Sequence, residues 1–184
     1  MELKFATSNP HKVSEANQVG RKYGIEFVQL EQDYPEIRDE DVRMVARAGA
    51  AYVFNIIREP VIVEDTGLFI EGLGGFPGSY SAFVFNKIEN QGILGLMQGA
   101  GDRKAEFISA IGYCDIDGVQ IFDGAVRGSI GTEITGTAGF GYDSIFIPDG
   151  HEKTFGENPK LKAEVSHRMK AFDKFCKFIA ECWD

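Results

Sequence analysis

Residues 103–130 constrain the fold of this chain more than any other stretch. The segment RKAEFISAIGYCDIDGVQIFDGAVRGSI has alternating or wholly apolar runs on both sides of the pair Asp117-Gly118. An Asp-Gly pair between two such runs is typical of a β-hairpin turn. The pattern predicts two long antiparallel strands in the middle of the chain, so the fold is not a regular doubly wound sheet.

Strand and helix patterns alternate on either side of this hairpin. Short strands are predicted at LKFAT, IEFVQL, PVIVED and SIFIP, and helical spacing at residues 13–23, 39–57 and from Ser166 onward. The glycine-rich stretch GLGGFPG (72–78) predicts an irregular loop, followed by two short helical patches around SAFVFNKI and GILGLMQ. Together these patterns predict one mixed α/β domain over residues 1–184.

Composition narrows the possible partners and the compartment. A hydrophobic share of 43% and a charged share of 26% are typical of a soluble globular protein. The formal charge of -9 argues against binding a nucleic acid polymer, because that needs clustered cations. Three cysteines without CxxC spacing favour reduced thiols, and no export signal or membrane-spanning run is seen, so we expect a cytoplasmic protein.

ATSNPHK (6–12) joins the first strand to the first helix without a glycine. Pro10 suits the first helical position and Ser8 or Asn9 can cap the helix, which would turn the backbone N–H groups of His11 and Lys12 outward. Such a helix start can bind phosphate. A simple capped helix is the other interpretation, and the residue types alone favour it.

A second helix start carries the same misplaced positive charge. With Ser166 as N-cap, His167 and Arg168 lie in the first turn, where the helix dipole disfavours cations, as it does at Lys12. Two such starts suggest one shared anion, and Lys162 would add a third cation suited to a polyphosphate. The alternative is that these are solvated surface residues.

The strand PVIV ends in two carboxylates, Glu64 and Asp65, before Thr66. In open α/β sheets the carboxyl ends of strands are where ligands bind, and Mg²⁺ there usually takes one or two protein carboxylates. Neighbouring side chains on a strand point to opposite faces, so only one of the two can face a given site. Spacing does not decide which, and Glu36 is either a second ligand or an isolated surface residue.

Aromatic residues lie among glycines in GFGYDSIF (139–146). Phe140 or Tyr142 could stack on a nucleotide base, with Gly141 allowing close approach and Asp143 beside them. A turn that buries its aromatic rings in the core is an equally good interpretation of these residues alone.

Four segments in this order resemble one family closely: LKFATSNPHK, EDTGLFIEGLGGFPGSYSA, GFGYDSIFIP and LKAEVSHRMKA. The resemblance is to the inosine triphosphate pyrophosphatases, or Ham1 family, and it covers nearly the whole chain. It implies an elongated, two-lobed α/β fold with a long curved mixed sheet and an active-site cleft between the lobes. It also implies a homodimer that uses Mg²⁺ to hydrolyse ITP, dITP and XTP to the monophosphate and pyrophosphate.

Site roles are carried over from the family position by position. Asp65 matches a metal ligand and general base, Glu36 resembles the second metal ligand, and Thr66 would touch substrate. His167 and Arg168 match a pair that reads the purine edge. The phosphate-binding segment corresponds to Thr7, Ser8, Asn9, Pro10, His11 and Lys12, and the base-binding segment to Phe140, Gly141, Tyr142 and Asp143, with Lys162 as the later lysine.

The chain departs from the family pattern at two positions. Many members carry a lysine about sixteen residues before the catalytic aspartate, where this chain has Gly49, with Arg47 the nearest cation. Many also carry a basic residue after YSA, where this chain has Phe83. Phosphate contacts from these two places are therefore not expected.

Two alternative functions follow from the same residues. One is a nucleotide pyrophosphatase of the Maf-like kind, similar in architecture but acting on other nucleotides. The other is a nucleotide-binding module without catalysis. The presence of Lys12, Glu36 and Asp65 favours an enzyme, a hydrolase acting on acid anhydrides.

Overall fold

The computed structural model describes residues 1–183, with seven strands and five α-helices in that range. The strands are β1 (Glu2–Ala6), β2 (Glu26–Leu30), β3 (Val61–Ile70), β4 (Pro77–Gly78), β5 (Lys104–Asp115), β6 (Gly118–Ile130) and β7 (Phe146–Pro148). The helices are α1 (Pro10–Gly20), α2 (Val42–Ile57), α3 (Ser81–Leu96), α4 (Pro159–Val165) and α5 (His167–Trp183). None of these helices is long and apolar enough to span a membrane.

All seven strands form one mixed sheet, which confirms the predicted α/β class. The order is β2-β1-β3-β5-β6-β7, and β4 pairs with β3. β1 is parallel to both β2 and β3, whereas β4 and β7 are antiparallel to their partners. The predicted hairpin is β5 and β6, although its turn is Ile116-Asp117 and Gly118 is the first residue of β6.

Two compact units divide the described chain, and β3, β5 and β6 contribute residues to both. The first unit comprises residues 1–65, 109–124 and 167–183, and the second comprises residues 66–108 and 125–166. The expectation of a single domain over residues 1–184 stays a prediction, and its last residue lies outside the described range.

The first unit packs α1 and α5 against an aromatic core. Its largest cluster of buried residues is Leu3, Phe5, Ala16, Val19, Ile25, Phe27, Ile62, Ile111, Tyr113, Met169, Ala171, Phe172, Phe175, Cys176 and Ile179. The ring of Phe172 lies 5.8 Å from that of Phe5 and 5.0 Å from that of Phe27, between centroids. The apolar face of α5 therefore anchors this helix, and with it the position of its first turn.

The second unit has a separate core around α3 and the ends of β5, β6 and β7. Its buried cluster is Leu68, Ile70, Val84, Ile93, Met97, Ala105, Phe107, Val126, Ile130, Tyr142, Ile145, Phe146 and Phe155. The two helical patches predicted for this region form α3, whose backbone leaves helical geometry at Glu89 (φ 51°, ψ −163°). The segment 139–144 packs beside this helix.

Candidate active site

The turn between β1 and α1 is a capped helix start. Asn9 Oδ1 accepts a 2.9 Å hydrogen bond from the His11 N–H, and the Lys12 N–H donates to the Asn9 carbonyl at 3.2 Å. The Asn9 N–H in turn donates to Thr7 Oγ1 at 3.1 Å. The N–H groups of His11 and Lys12, expected to point outward, thus bond to the side chain and to the backbone carbonyl of Asn9, respectively.

The Lys12 side chain is held against Glu64, inside β3. Its Nζ donates to the Glu64 carbonyl oxygen at 2.9 Å and lies 2.8 Å from Glu64 Oε2. The Lys12 side chain keeps 19% of its surface exposed, whereas the Glu64 side chain has none. The sequence did not determine which of the two carboxylates lies on which face of β3. In the structure Glu64 faces α1, and Asp65, the next residue, is only partly buried.

Arg168, in the first turn of α5, meets the same carboxylate. Its Nε donates to Glu64 Oε1 at 3.1 Å, and its Nη1 donates to Glu15 Oε2 at 2.7 Å. Ser109 Oγ also donates to Glu64 Oε1. We call Lys12, Glu15, Glu64, Ser109 and Arg168 the Glu64 cluster. Both helix starts thus contact one protein carboxylate, that of Glu64.

The Glu64 cluster is ionised and electrically balanced. Burial alone would raise the pKa of the Glu64 carboxyl, but the charges of Arg168 and Lys12, with hydrogen bonds from Lys12 and Ser109, hold it well below its usual range. Burial would lower the pKa of Arg168, yet Glu64 and Glu15 raise it above the usual value. Two cations therefore face two carboxylates, and each cation stabilises the carboxylate that it contacts.

The charges of Asp65 and Glu36 both act on Tyr34. Burial, followed by the charges of Glu36, Asp65 and Glu64, raises the pKa of the Tyr34 hydroxyl above its usual value. Glu36 is exposed in the irregular stretch before α2, and Asp65 is partly buried in β3. Both predicted metal ligands thus act on one hydroxyl group, although they are 29 residues apart in sequence.

These two carboxylates fit a magnesium ion better than a softer metal. Carboxylate oxygen is a ligand that Mg²⁺ prefers, and this ion needs only one or two protein ligands. Within residues 1–183, no three His, Cys, Asp or Glu side chains are grouped so that they could hold a metal ion. A metal that depends on several nitrogen or sulfur ligands is therefore a poor match for this neighbourhood.

The second unit holds a separate group of predicted residues, in residues 139–144, which we call the Phe140 segment. Asp143 Oδ2 accepts from the Phe140 N–H at 2.7 Å and from Lys162 Nζ at 2.6 Å. Lys162 Nζ also lies 4.4 Å from the centroid of the Phe140 ring, a cation–π contact. One buried ion pair therefore fixes both the backbone and the ring of Phe140.

The two aromatic residues of this segment have different environments. Phe140 is partly exposed. Tyr142 is 3% exposed, its ring packs edge-on against Phe85 at 5.2 Å, and its hydroxyl donates to the Ser81 carbonyl at 3.0 Å. Of the two interpretations of this sequence, base stacking fits Phe140, and burial in the core fits Tyr142.

Residues 3–178 match the model of the Ham1 family. This chain belongs to the Ham1 family. It is 48% identical over 180 residues to the dITP/XTP pyrophosphatase of Methanopyrus kandleri, covering 97% of this chain and 96% of that protein. It is 45% identical over 182 residues to the dITP/XTP pyrophosphatase of Thermococcus kodakarensis, covering 98% of each.

Solved structures agree with this assignment. The structure of a HAM1 protein from Coxiella burnetii matches with a TM-score of 0.87 and 27% identity, over 98% of this chain and 99% of that one. The Ham1 protein of Staphylococcus aureus has the same fold, with a TM-score of 0.85 over 98% of this chain and 99% of the other. The family predicted from the four sequence segments is thus confirmed.

At Gly49 and Phe83, the two positions where the chain departs from the Ham1 pattern, the structure shows which side chains lie nearby. A Cβ atom placed on Gly49 would lie 2.9 Å from the Tyr34 ring and 3.0 Å from Val63, so Tyr34 fills the space that a side chain at position 49 would need. Phe83 is 64% exposed, and Lys87, one helical turn later, places Nζ 5.6 Å from its ring centroid. A cation is therefore present near position 83.

Several contributors to the site carried no sequence signal. Ser109 lies inside a long apolar strand, and Glu15 lies one helical turn after Lys12 on a surface helix. Tyr34 precedes Glu36 in a stretch without secondary structure. None of the three belongs to a motif, because each acts through a partner that is distant in sequence. The remaining predicted residues, Ser8, Pro10 and His11, are exposed, and His167 is 2% exposed.

Proposed function

We propose that this Ham1-family protein hydrolyses dITP, ITP and XTP to the nucleoside monophosphate and pyrophosphate, and so removes deaminated purines from the nucleotide pool. The observation that carries the proposal is the contact of Lys12 with Glu64 of β3. Its Nζ lies 2.9 Å from the carbonyl oxygen of Glu64, the residue directly before Asp65. A phosphate-binding cation and the proposed catalytic carboxylate are thus neighbours. The names of the relatives at 45–48% identity support the same substrates.

Asp65 and Glu36 would hold Mg²⁺, and that ion, when bound, would supply charge neutralisation for the triphosphate. Asp65 is also the proposed general base, since a carboxylate can accept the proton of the water that attacks the α-phosphorus. Thr66, which follows Asp65 on β3, is proposed to touch the substrate. The Lys12 ammonium, which also contacts Glu64, is proposed to stabilise the departing pyrophosphate, with Thr7 and the following turn alongside it.

The Phe140 segment is the proposed base-binding element. Phe140 supplies an aromatic surface for stacking, while Lys162 and Asp143 hold it in place rather than acting on the phosphates. This differs from the expectation that Lys162 joins Lys12 in a polyphosphate pocket. The difference follows from the direct contact of Lys162 Nζ with Asp143, because a buried lysine keeps its charge only beside such a partner.

Selection of the purine is assigned to His167 and Arg168. Hypoxanthine and xanthine carry a keto acceptor at position 6, whereas adenine carries an amino donor there. Arg168 has only donors, and we propose that a donor beyond the Nε and Nη1 groups held by Glu64 and Glu15 meets the base. Opposite an amino group such a donor would lose its partner, a mismatch of ~1–3 kcal/mol or more in a desolvated site. We therefore expect dITP to be strongly preferred over dATP.

A panel of nucleoside triphosphates with Mg²⁺ tests the proposal. The panel contains dITP, ITP, XTP, dATP, dTTP and UTP, and the products are scored as pyrophosphate or orthophosphate. We expect pyrophosphate from dITP, ITP and XTP, and little product from the others. Preferred cleavage of dTTP or UTP would indicate the Maf-like alternative, and tight binding of ITP without pyrophosphate release would indicate a binding module.

A substitution of the proposed base separates catalysis from binding. Asp65→Asn keeps the shape of the side chain but removes the charge, and we expect it to abolish most turnover of dITP. Asp117→Asn, in the exposed hairpin turn, is the matched control and should behave as wild type. If Asp65→Asn keeps most of the wild-type turnover, the assignment of Asp65 is wrong.

We also propose a homodimer that works in the cytoplasm, as expected from the resemblance to the family. The proposal of a dimer is supported by large apolar side chains at the surface of the second unit, Phe76, Tyr80 and Phe83. For the compartment, support comes from the free, buried thiol of Cys176. Light scattering coupled to size-exclusion chromatography would give the oligomeric state.

A further inference from the structure

Helix α3 is interrupted at an unusual backbone position. Glu89 has φ 51° and ψ −163°, a combination that residues other than glycine rarely adopt. The side chain of Glu89 is exposed, so contacts of its own do not offset this strain. A strained residue persists where the surrounding structure holds it in place, so the reason for this break lies in the residues around Glu89.

The helix resumes under a second constraint. A Cβ atom placed on Gly92 would lie 2.3 Å from the Cβ atom of Ile88, on the other side of the break. The two halves of α3 thus approach so closely at this point that position 92 has no room for a side chain. The break is therefore a defined feature of the packing and not a frayed helix end.

Asn90, the first residue after the break, is 9% exposed and reaches the Phe140 segment. Its Nδ2 donates to the Gly141 carbonyl at 3.0 Å and to Ser144 Oγ at 2.9 Å. Both donors of the amide nitrogen are thus used on one segment, because the break turns this side chain toward it. Buried amides are normally satisfied in this way.

The beginning of α3 contacts the same segment. The Tyr142 hydroxyl donates to the Ser81 carbonyl, and Ser81 Oγ in turn donates to the Gly78 carbonyl at 2.7 Å and accepts from the Leu68 N–H at 2.8 Å. Tyr142 is therefore fixed from the start of α3, while Gly141 and Ser144 on either side of it are fixed from Asn90. The backbone next to Phe140 is thereby held at several points.

We propose that Asn90 is a positioning residue for purine binding, which acts by fixing the backbone of the Phe140 segment. The inference rests on the proposed function, because it assigns the base to Phe140. Asn90 contacts Gly141, directly after Phe140, and Ser144, directly after Asp143. Loss of its two donors leaves the ring of Phe140 and the carboxylate of Asp143 in place only part of the time.

Amide hydrogen exchange tests the positioning role without any substrate. The relevant N–H groups are those of Phe140, Asp143 and Ile145, which bond to Asp143 Oδ2, the Phe140 carbonyl and the Tyr142 carbonyl. We expect Asn90→Ala to raise their exchange rates by about tenfold, since about 1.4 kcal/mol corresponds to that factor and one buried hydrogen bond is of this size.

The matched control is Ile93→Ala, a fully buried residue of the same helix with no hydrogen bond to the Phe140 segment. This variant destabilises the core by creating a cavity, so it accounts for a general loss of stability. Both variants are measured well below their melting temperatures. Equal exchange rates in the Phe140 segment for Asn90→Ala and Ile93→Ala would overturn the proposal.

Kinetics test the consequence for the substrate. We expect Asn90→Ala and Asn90→Asp to raise KM for dITP by about tenfold and to change kcat by less than about twofold, because the chemistry at Asp65 is left intact. Asn90→Asp is informative because it keeps the shape and loses the donors. If Asn90→Asp has the KM of the wild type, the proposal for Asn90 is contradicted. If the wild-type enzyme itself releases no pyrophosphate from dITP, the proposed function is refuted, and the hydrogen-exchange result alone then tests whether Asn90 positions the Phe140 segment.

Discussion

Replacing Glu64 with glutamine would remove the one charge that Lys12 and Arg168 share. The substitution keeps the volume of the side chain, so no cavity is created. The amide oxygen of the new side chain can still accept from Arg168 Nε and Ser109 Oγ, which now bond to Oε1. The new amide nitrogen would then face Lys12 Nζ, which lies 2.8 Å from Oε2, and would place two donors against each other.

We expect a large loss of stability from this single change. Removing one partner of a buried ion pair typically costs about 3–5 kcal/mol, because the remaining charges stay buried. For a chain of this length, that corresponds to a fall in Tm of roughly 6–20 °C. The loss should lie at the lower end if the partly exposed Lys12 turns toward solvent. Unfolding by urea, followed by circular dichroism at pH 7, measures the difference in free energy.

The matched control is Glu59→Gln, which breaks the exposed ion pair between Lys4 and Glu59. Such exposed pairs contribute about 0–1 kcal/mol, so the control should be near wild type. If Glu64→Gln loses no more unfolding free energy than Glu59→Gln, the reasoning on the buried cluster is refuted.

Acid provides an independent check on the same residue. The pKa of Glu64 is lower in the folded state than in the unfolded chain, so its contribution to stability is fully present above the unfolded value of about 4.3. That contribution is lost as the pH falls below about 4.3 toward the folded-state pKa. The gap in stability between wild type and Glu64→Gln should therefore narrow below about pH 4, and a gap of constant size would contradict this assignment.

Two further predictions concern Lys12 and Glu89. Lys12→Ala should lower kcat/KM for dITP by about 10²- to 10³-fold, because it removes an electrostatic contact to the phosphates. Lys22→Ala, at an exposed position beyond α1, is the control and should leave kcat/KM unchanged. Steady-state kinetics well below the melting temperature of both variants measure the difference, and similar rates for the two would show that ATSNPHK is only a structural turn. Glu89→Gly should raise the free energy of unfolding by about 1 kcal/mol, because glycine adopts φ 51° without strain. Urea unfolding measures this change, and a variant less stable than the wild type would show that Glu89 is not strained.

Local patterns in the sequence predicted most of the secondary structure. The hairpin of β5 and β6 followed from alternation around a turn, and the start of α1 followed from Asn9 and Pro10, because capping depends on residues within one helical turn. The longer course of β3, through to Ile70, was not predicted, and neither was α4. In both, tertiary packing overrides weak local signals.

The sequence predicted only part of the candidate site, because an arrangement of charges does not reveal which group balances them. The helix dipole disfavours the positive charges of Lys12 and Arg168 in the first turns of their helices, and from this we inferred an anion between them. A polyphosphate was the expected anion, whereas the structure places Glu64 between them. Both explanations satisfy the same electrostatic requirement, so the charges alone did not separate them.

The sequence by itself determined that the chain forms capped helices and a central hairpin, and that it belongs to a nucleotide-hydrolysing family. It also determined that Glu64 and Asp65 point to opposite faces of β3, since alternation is a property of every strand. Only the tertiary structure decided which face each carboxylate takes. Glu64 meets Lys12, 52 residues away, and Arg168, 104 residues away, because α1 and α5 pack against each other in one core. Contacts across such separations depend on the packing of whole elements, and no local pattern records them.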